Sequence, residues 1–235
     1  MKQIGIPFFI LSCLTGLLAA QPMQPPQTRT SSTPTQYEAK DFSYLLGNSK
    51  ISDKTLSAHF KLYQGYVKNT NLLLEILKNC MKEGQDRTPQ CAEIRRRLGF
   101  EFDGMRLHEY YFSNLGGSKT KIDTQGPLYK RIVQDFGSYD AWEKDFKATG
   151  AMRGVGWAIL YLDPAQGRLV NVWIDDHQNG HFAAANPILI MDIWEHAYML
   201  DYGIDRGSYI DAFMKDINWE VVQKRFPDSS FHSGR

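Results

Sequence analysis

Apolar positions recur at helical spacing over a long stretch in the first third of the chain. Across residues 55–78 they fall at Leu56, Phe60, Tyr63, Val67, Leu74 and Leu77, which predicts a helix of several turns. A second helical pattern spans residues 92–115, with Leu107, Tyr111, Phe112 and Leu115 on one face and candidate breaks at Gly99 and Gly104. Residues 81–90 between them are polar and rich in turn formers, so the two helices predict an αα-hairpin. Gly116-Gly117-Ser118 closes this layer.

The pattern then changes. Pro127–Phe136 reads as a helix stopped by Gly137. Residues 138–147 read as another, with Ser138 as its N-cap. Residues 156–162 and Arg168–Ile174 read as strands on either side of the loop Asp163-Pro164-Ala165-Gln166-Gly167. Residues 187–191 are a third short apolar run, the chain turns helical from Glu195, and residues 208–217 and 219–226 form two closing amphipathic helices. This order predicts an α+β fold. An N-terminal helical hairpin (residues 42–117) packs on a C-terminal α+β layer (residues 118–226) with a three-stranded antiparallel sheet, followed by a tail (residues 227–235). Ligand sites favour junctions of this kind.

The N-terminus follows different rules. Lys2 precedes an apolar run ending Leu17-Leu18-Ala19-Ala20, the pattern of a signal peptide over residues 1–20. Gly5, Pro7, Ser12 and Gly16 interrupt that run, which falls short of a membrane span. Cys13 leaves a lipid-anchored variant open. Residues 21–41 are rich in Pro, Gln, Ser and Thr and read as a flexible tether, with the folded part starting near Tyr37 or Phe42. The expectation is an exported protein, periplasmic or secreted, with no membrane span in the mature chain. Cys80 and Cys91 remain after the leader and flank the polar loop. In an oxidising compartment the pair suggests a disulfide, with two thiols that never meet as the alternative.

Composition narrows the partners. The chain has 27 basic and 26 acidic residues, and one of the basic ones is Lys2 in the leader, so the remainder is balanced. No basic run is long enough to release many counterions, which argues against nucleic acid. A small anion can still be drawn by a local positive site inside a neutral protein.

Candidate chemistry lies in the histidines. Of six, His59, His108 and His196 sit within apolar and aromatic segments, where a neutral imidazole needs a partner for each nitrogen; the others are His177, His181 and His232. Asp192 ends the apolar run Ile188-Leu189-Ile190-Met191, a costly place for an unpaired carboxylate. Its four-residue offset from His196 puts both on one side of a helix turn or together at a strand-to-helix corner. Three imidazoles and a carboxylate suit zinc, iron or manganese better than calcium or magnesium. A structural Asp–His hydrogen bond is the plainer reading of the same spacing.

The wording of the segment goes further. Asp192-Ile193-Trp194-Glu195-His196-Ala197-Tyr198 resembles the C-terminal signature of the iron/manganese superoxide dismutases. His108-Glu109-Tyr110-Tyr111-Phe112, Gly154-Val155-Gly156-Trp157, Tyr209-Ile210-Asp211-Ala212-Phe213 and Asn218-Trp219 resemble further segments of that family, so the likeness covers residues 42–226. The resemblance implies an enzyme that converts superoxide to oxygen and hydrogen peroxide by redox cycling of one iron or manganese ion per subunit. It implies His59, His108, Asp192 and His196 as metal ligands, Tyr66 as the gateway tyrosine and His177 as the outer-sphere partner, or Gln178 if the register slips by one. Trp157 and Trp194 become walls of the metal cavity, with Tyr198 beside them. Glu195 becomes the residue that reaches the ligand histidine of a second subunit, in a homodimer or a tetramer built from it.

The chain departs from the family at three points, one of them the exported, tethered N-terminus, which is not part of the family core. His59-Phe60-Lys61-Leu62-Tyr63-Gln64-Gly65-Tyr66 is one residue shorter than usual between ligand and gateway tyrosine, and Leu62 or Tyr63 stands where a gateway histidine belongs. Gly104 stands at one of the two places that can supply the outer-sphere glutamine, and His177 at the other. The altered gateway keeps a second reading in view, a redox-silent metal-binding relative; a zinc hydrolase built on the same ligands lacks a recognisable general base.

Overall fold

The computed structural model describes residues 36–227. The expected signal peptide, Cys13, most of the tether, His232 and the end of the tail lie outside the described residues. The described chain is one compact unit with a single core that both layers share.

Helix α1 (Asp53–Lys82) starts where Ser52 accepts a hydrogen bond from the Thr55 N–H, with Asp53 in the first turn. Its buried stripe, Leu56, His59, Tyr63, Val67, Thr70 and Leu73, follows helical spacing. Helix α2 (Pro89–Ser113) opens on a Thr88 cap with Pro89 in its first turn. The two form the hairpin, and a Cys80–Cys91 disulfide closes its loop. The breaks foreseen at Gly99 and Gly104 do not occur, because α2 runs straight through both. An interior glycine costs a helix only about 1 kcal/mol, and at Gly104 neighbouring side chains fill the space that a methyl group would occupy.

The tether foreseen through residue 41 is anchored earlier. The Tyr37 N–H donates to Asn71 Oδ1 at 2.8 Å and the Lys40 N–H to the Tyr63 hydroxyl at 2.9 Å. Packed chain therefore begins by Tyr37.

Helices α3 (Pro127–Phe136) and α4 (Tyr139–Gly150) lead into strands β1 (Trp157–Asp163), β2 (Arg168–Ile174) and β3 (Asn186–Asp192). The sheet is antiparallel in the order β2-β1-β3. Every residue of β1 but the last is buried, as a central strand covered on both faces requires. After β3 come a 3₁₀ turn (Glu195–Ala197) and helices α5 (Met199–Tyr202), α6 (Arg206–Asp216) and α7 (Trp219–Lys224). No helix among the described residues is long and apolar enough to cross a membrane.

Two polar clamps fix the hairpin to the second layer. Asp201 accepts from the Ser52 N–H and the Thr55 hydroxyl, each at 2.8 Å, and so pins the start of α1. At the far end of α2, Asn114 donates to the Ile190 carbonyl at 2.5 Å, and the Arg225 guanidinium bonds both Asn114 and the Ile188 carbonyl. These contacts hold His59 and His108 over the end of β3.

Candidate metal centre

Four side chains from separate elements converge between the layers. His59 comes from α1, His108 from α2, Asp192 from the last position of β3 and His196 from the 3₁₀ turn. One potential ligand atom from each lies within 4.8 Å of all the others. A single carboxylate oxygen, Asp192 Oδ2, faces the three imidazoles: His59 Nε2 and His196 Nε2 at 3.2 Å and His108 Nε2 at 3.6 Å. Of the two geometries the spacing allowed for Asp192 and His196, the strand-to-helix corner is the one formed. The one-residue-shorter first segment does not displace His59. Its offset of seven residues from Tyr66 is close to two helical turns, so both side chains leave α1 on the same face.

The cluster is largely buried and short of hydrogen-bond partners. His59, His108 and Asp192 are buried, and His196 alone is part-exposed, at 27%. His108 Nδ1–H donates to the Gly104 carbonyl at 2.5 Å, which leaves Nε2 with a lone pair aimed at the cluster. Neither ring nitrogen of His59, nor His108 Nε2, makes a well-directed hydrogen bond, and His59 Nε2 meets only the Asp192 carboxylate. Orphaned buried nitrogens are costly to keep, and around one carboxylate they are the donor set of a mononuclear iron, manganese or zinc site. The residues present therefore fit a resident transition-metal ion.

Asp192 is itself oriented. Its Oδ1 accepts from the Trp194 N–H at 2.8 Å, and its carbonyl accepts from the Tyr209 hydroxyl at 2.6 Å. Burial alone raises this carboxyl, but His196 and His59 outweigh burial and hold it well below the usual carboxylate range. Burial pushes His59 down, and pushes His108 well down with His59 adding to the effect. Both rings are therefore neutral, the form in which imidazole binds a metal.

A second ring of residues surrounds the four. His177 Nδ1 accepts from the Trp157 indole N–H at 3.0 Å, and His177 Nε2 lies 2.8 Å from the Tyr66 hydroxyl. An indole only donates, so Nδ1 must be unprotonated and Nε2–H donates to Tyr66. Burial holds His177 down at about 4. Burial, then the Asp192 charge, pushes the Tyr66 phenol well up, so it keeps its proton. The sheet register pairs Trp157 with Asp192, and directly opposed residues share a face. Trp194 stacks against His196 at 5.8 Å and lies 5.0 Å from His177, centroid to centroid.

The remaining expected residues fall as follows. Glu195 is exposed beside His196. Tyr198 is buried, stacked on Tyr209, and accepts from Arg206 Nε at 3.2 Å. Gln178 lies against Gly99 and takes no part in the hydrogen bonds of the cluster, whereas His177 bonds both Trp157 and Tyr66. Leu62 is exposed, and Tyr63 is buried with its hydroxyl 3.1 Å from Glu109, so neither enters the place of a gateway histidine. Gly104 is the site's least visible member. A Cβ there would meet Tyr66 Cδ1 at 2.8 Å and His177 Cδ2 at 3.1 Å. The sequence alone assigns no part to Asn114, Arg225 or Asp201, because nothing in one chain pairs residues so far apart.

A four-donor site between a helical hairpin and a small antiparallel sheet defines a mononuclear metalloprotein. The model of the iron/manganese superoxide dismutase C-terminal domain matches residues 124–225. A manganese superoxide dismutase of Haloferax volcanii is 34% identical over 180 residues, covering 75% of this chain and 87% of that protein. An iron superoxide dismutase of Aquifex pyrophilus is 38% identical over 183 residues, covering 75% and 84%. One named for iron, from Cupriavidus metallidurans, is 34% identical over 179 residues, covering 75% and 88%. The chain belongs to the iron/manganese superoxide dismutase family.

Proposed function

We propose that this protein is a superoxide dismutase with one iron or manganese ion held by His59, His108, Asp192 and His196. The observation that carries the reading is the set of unpartnered imidazole nitrogens around Asp192 Oδ2. When bound, the ion supplies a reversible one-electron change that oxidises one superoxide to oxygen and reduces the next to hydrogen peroxide, with two protons consumed over the cycle. The chain supplies the rest. Trp157, Trp194 and the buried imidazoles keep bulk water away. Tyr66 accepts from His177 Nε2–H, so its own O–H is left to donate elsewhere. That proton is the one Tyr66 can hand to a reduced anion, and the raised phenol ensures it is present at neutral pH. Protein loaded with manganese or with iron should consume superoxide in a stopped-flow assay; loaded protein that leaves superoxide untouched favours the redox-silent reading.

Two further parts belong to this proposal. Glu195 would bond the His196 ring of a second subunit, a reading supported by its exposure beside the part-exposed His196. Glu195→Ala should weaken self-association in sedimentation velocity, and an unchanged equilibrium counts against the assignment. Export is supported by the leader pattern and by the Cys80–Cys91 disulfide, which suits an oxidising compartment.

A further inference from the structure

The turn that carries His177 is held by a second histidine. Between β2 and β3 the chain reverses tightly, with the Asp175 N–H bonded to the Asn179 carbonyl at 3.0 Å and the Asn179 N–H returned to Asp175 at 3.2 Å. Asp176 takes a φ of 50°, unusual for a residue other than glycine. Those bonds close the turn but do not fix the peptide of His177 itself. His181 does: its Nε2 lies 2.8 Å from the His177 carbonyl oxygen, and its Nδ1 lies 2.6 Å from the Tyr161 hydroxyl. Tyr161 is a buried residue of β1. Asp103, next to Gly104 on α2, brings a carboxylate oxygen to 3.9 Å from the same Nε2.

The donor and acceptor roles follow. A carbonyl only accepts, so Nε2 carries a proton, and Nδ1 shares a second hydrogen bond with Tyr161. His181 thus ties the turn to the central strand and sits beside α2. Orientation matters here because the His177 ring must satisfy Trp157 at 3.0 Å and Tyr66 at 2.8 Å together. A ring displaced by about 0.5 Å loses one of them, since such bonds weaken beyond about 3.2 Å.

We propose that His181 is a positioning residue: it fixes the His177 peptide and, through it, the Trp157–His177–Tyr66 chain of hydrogen bonds. Its effect on turnover rests on the dismutase reading above; its effect on geometry does not.

The test uses the full chain and three variants. His181→Phe removes both hydrogen bonds. His181→Gln offers an amide N–H near the former Nε2–H and restores the His177 contact alone. Tyr161→Phe removes only the bond at Nδ1. One readout is the Trp157 indole N–H resonance in metal-free protein, assigned with Trp157→Phe, which reports the bond to His177 Nδ1. The other is superoxide consumption per bound metal ion. His181→Phe should move the indole resonance upfield and lower consumption by about fivefold, the worth of one hydrogen bond. His181→Gln should return both toward the parent. Should His181→Phe not fold, an indole shift in Tyr161→Phe supports the proposal and its absence opposes it. An unmoved indole resonance in folded His181→Phe overturns the proposal, and so does an equal loss in the Phe and Gln variants. A parent protein that consumes no superoxide fails the functional reading instead, and the indole resonance still decides the positioning role.

Discussion

Replacing Gly104 with alanine sets two opposing effects against each other inside one helix. Gly104 lies within α2 without a positive φ, so its backbone accepts alanine, and the helix gains about 1 kcal/mol. The added Cβ would lie 2.8 and 3.0 Å from Tyr66 Cδ1 and Cε1, and 3.1 Å from His177 Cδ2. Carbon pairs rest at about 3.5–4.0 Å, so the rings must withdraw by roughly 0.5–1 Å. Overpacking of this kind costs about 1–3 kcal/mol, and losing the Tyr66–His177 bond adds about 1 kcal/mol. The strain outweighs the helix gain, and the net loss of stability is about 1–3 kcal/mol. Activity should suffer through the same bond, since about 1.4 kcal/mol in a barrier is a factor of ten. Gly104→Ala should therefore lose about fivefold in superoxide consumption per metal ion, at unchanged metal content. The assay is stopped-flow consumption with metal quantified on the same sample, beside a urea titration. Full activity per metal ion would refute the packing argument. Loss of metal instead would place the effect at His108, whose Nδ1 is bonded to the Gly104 carbonyl.

Other perturbations act on different parts of the structure. Asp192→Ala and His196→Ala should each lose bound metal and activity together, and full metal content in both would remove them from the ligand set. Metal-free protein should lose stability as pH falls from about 6.5 toward 4. His177 is buried at about 4, so below the ordinary histidine value the unfolded chain binds the extra proton. Between pH 7.5 and pH 5 this group alone contributes about 2 kcal/mol of loss, and His59 and His108 shift in the same direction. Equal urea midpoints at the two pH values would contradict their burial as neutral rings. Cys80→Ser should cost about 3 kcal/mol, the chain entropy of a loop this short; an unchanged thermal midpoint would show that the bridge constrains nothing.

The elements themselves were largely legible in the chain. Hydrophobic period and turn residues placed the hairpin, both halves of the β1–β2 ribbon and α3, because local pattern and tertiary burial agree there. Gly99 and Gly104 mislead, since glycine in a helix is read as a breaker; at Gly104 the reason for it lies in Tyr66 and His177 on other elements, while at Gly99 an added methyl group would make only ordinary contact with Gln178. Asp192 and His196 were readable as a pair because they are close in sequence. Their meeting with His59 and His108 was carried by family likeness, not by spacing. The tautomer of His177 and the clamps from Asp201, Asn114 and Arg225 depend on contacts across the fold, which no single-chain pattern encodes.

The central claim is that the His59, His108, Asp192 and His196 cluster holds one redox-active ion that turns over superoxide. Elemental analysis of the purified protein, paired with superoxide consumption after reconstitution with iron and with manganese, tests it directly. The account predicts one iron or manganese ion per subunit and consumption proportional to occupancy. Zinc as the sole metal at full occupancy, or a fully loaded protein inert toward superoxide with either ion, would contradict it.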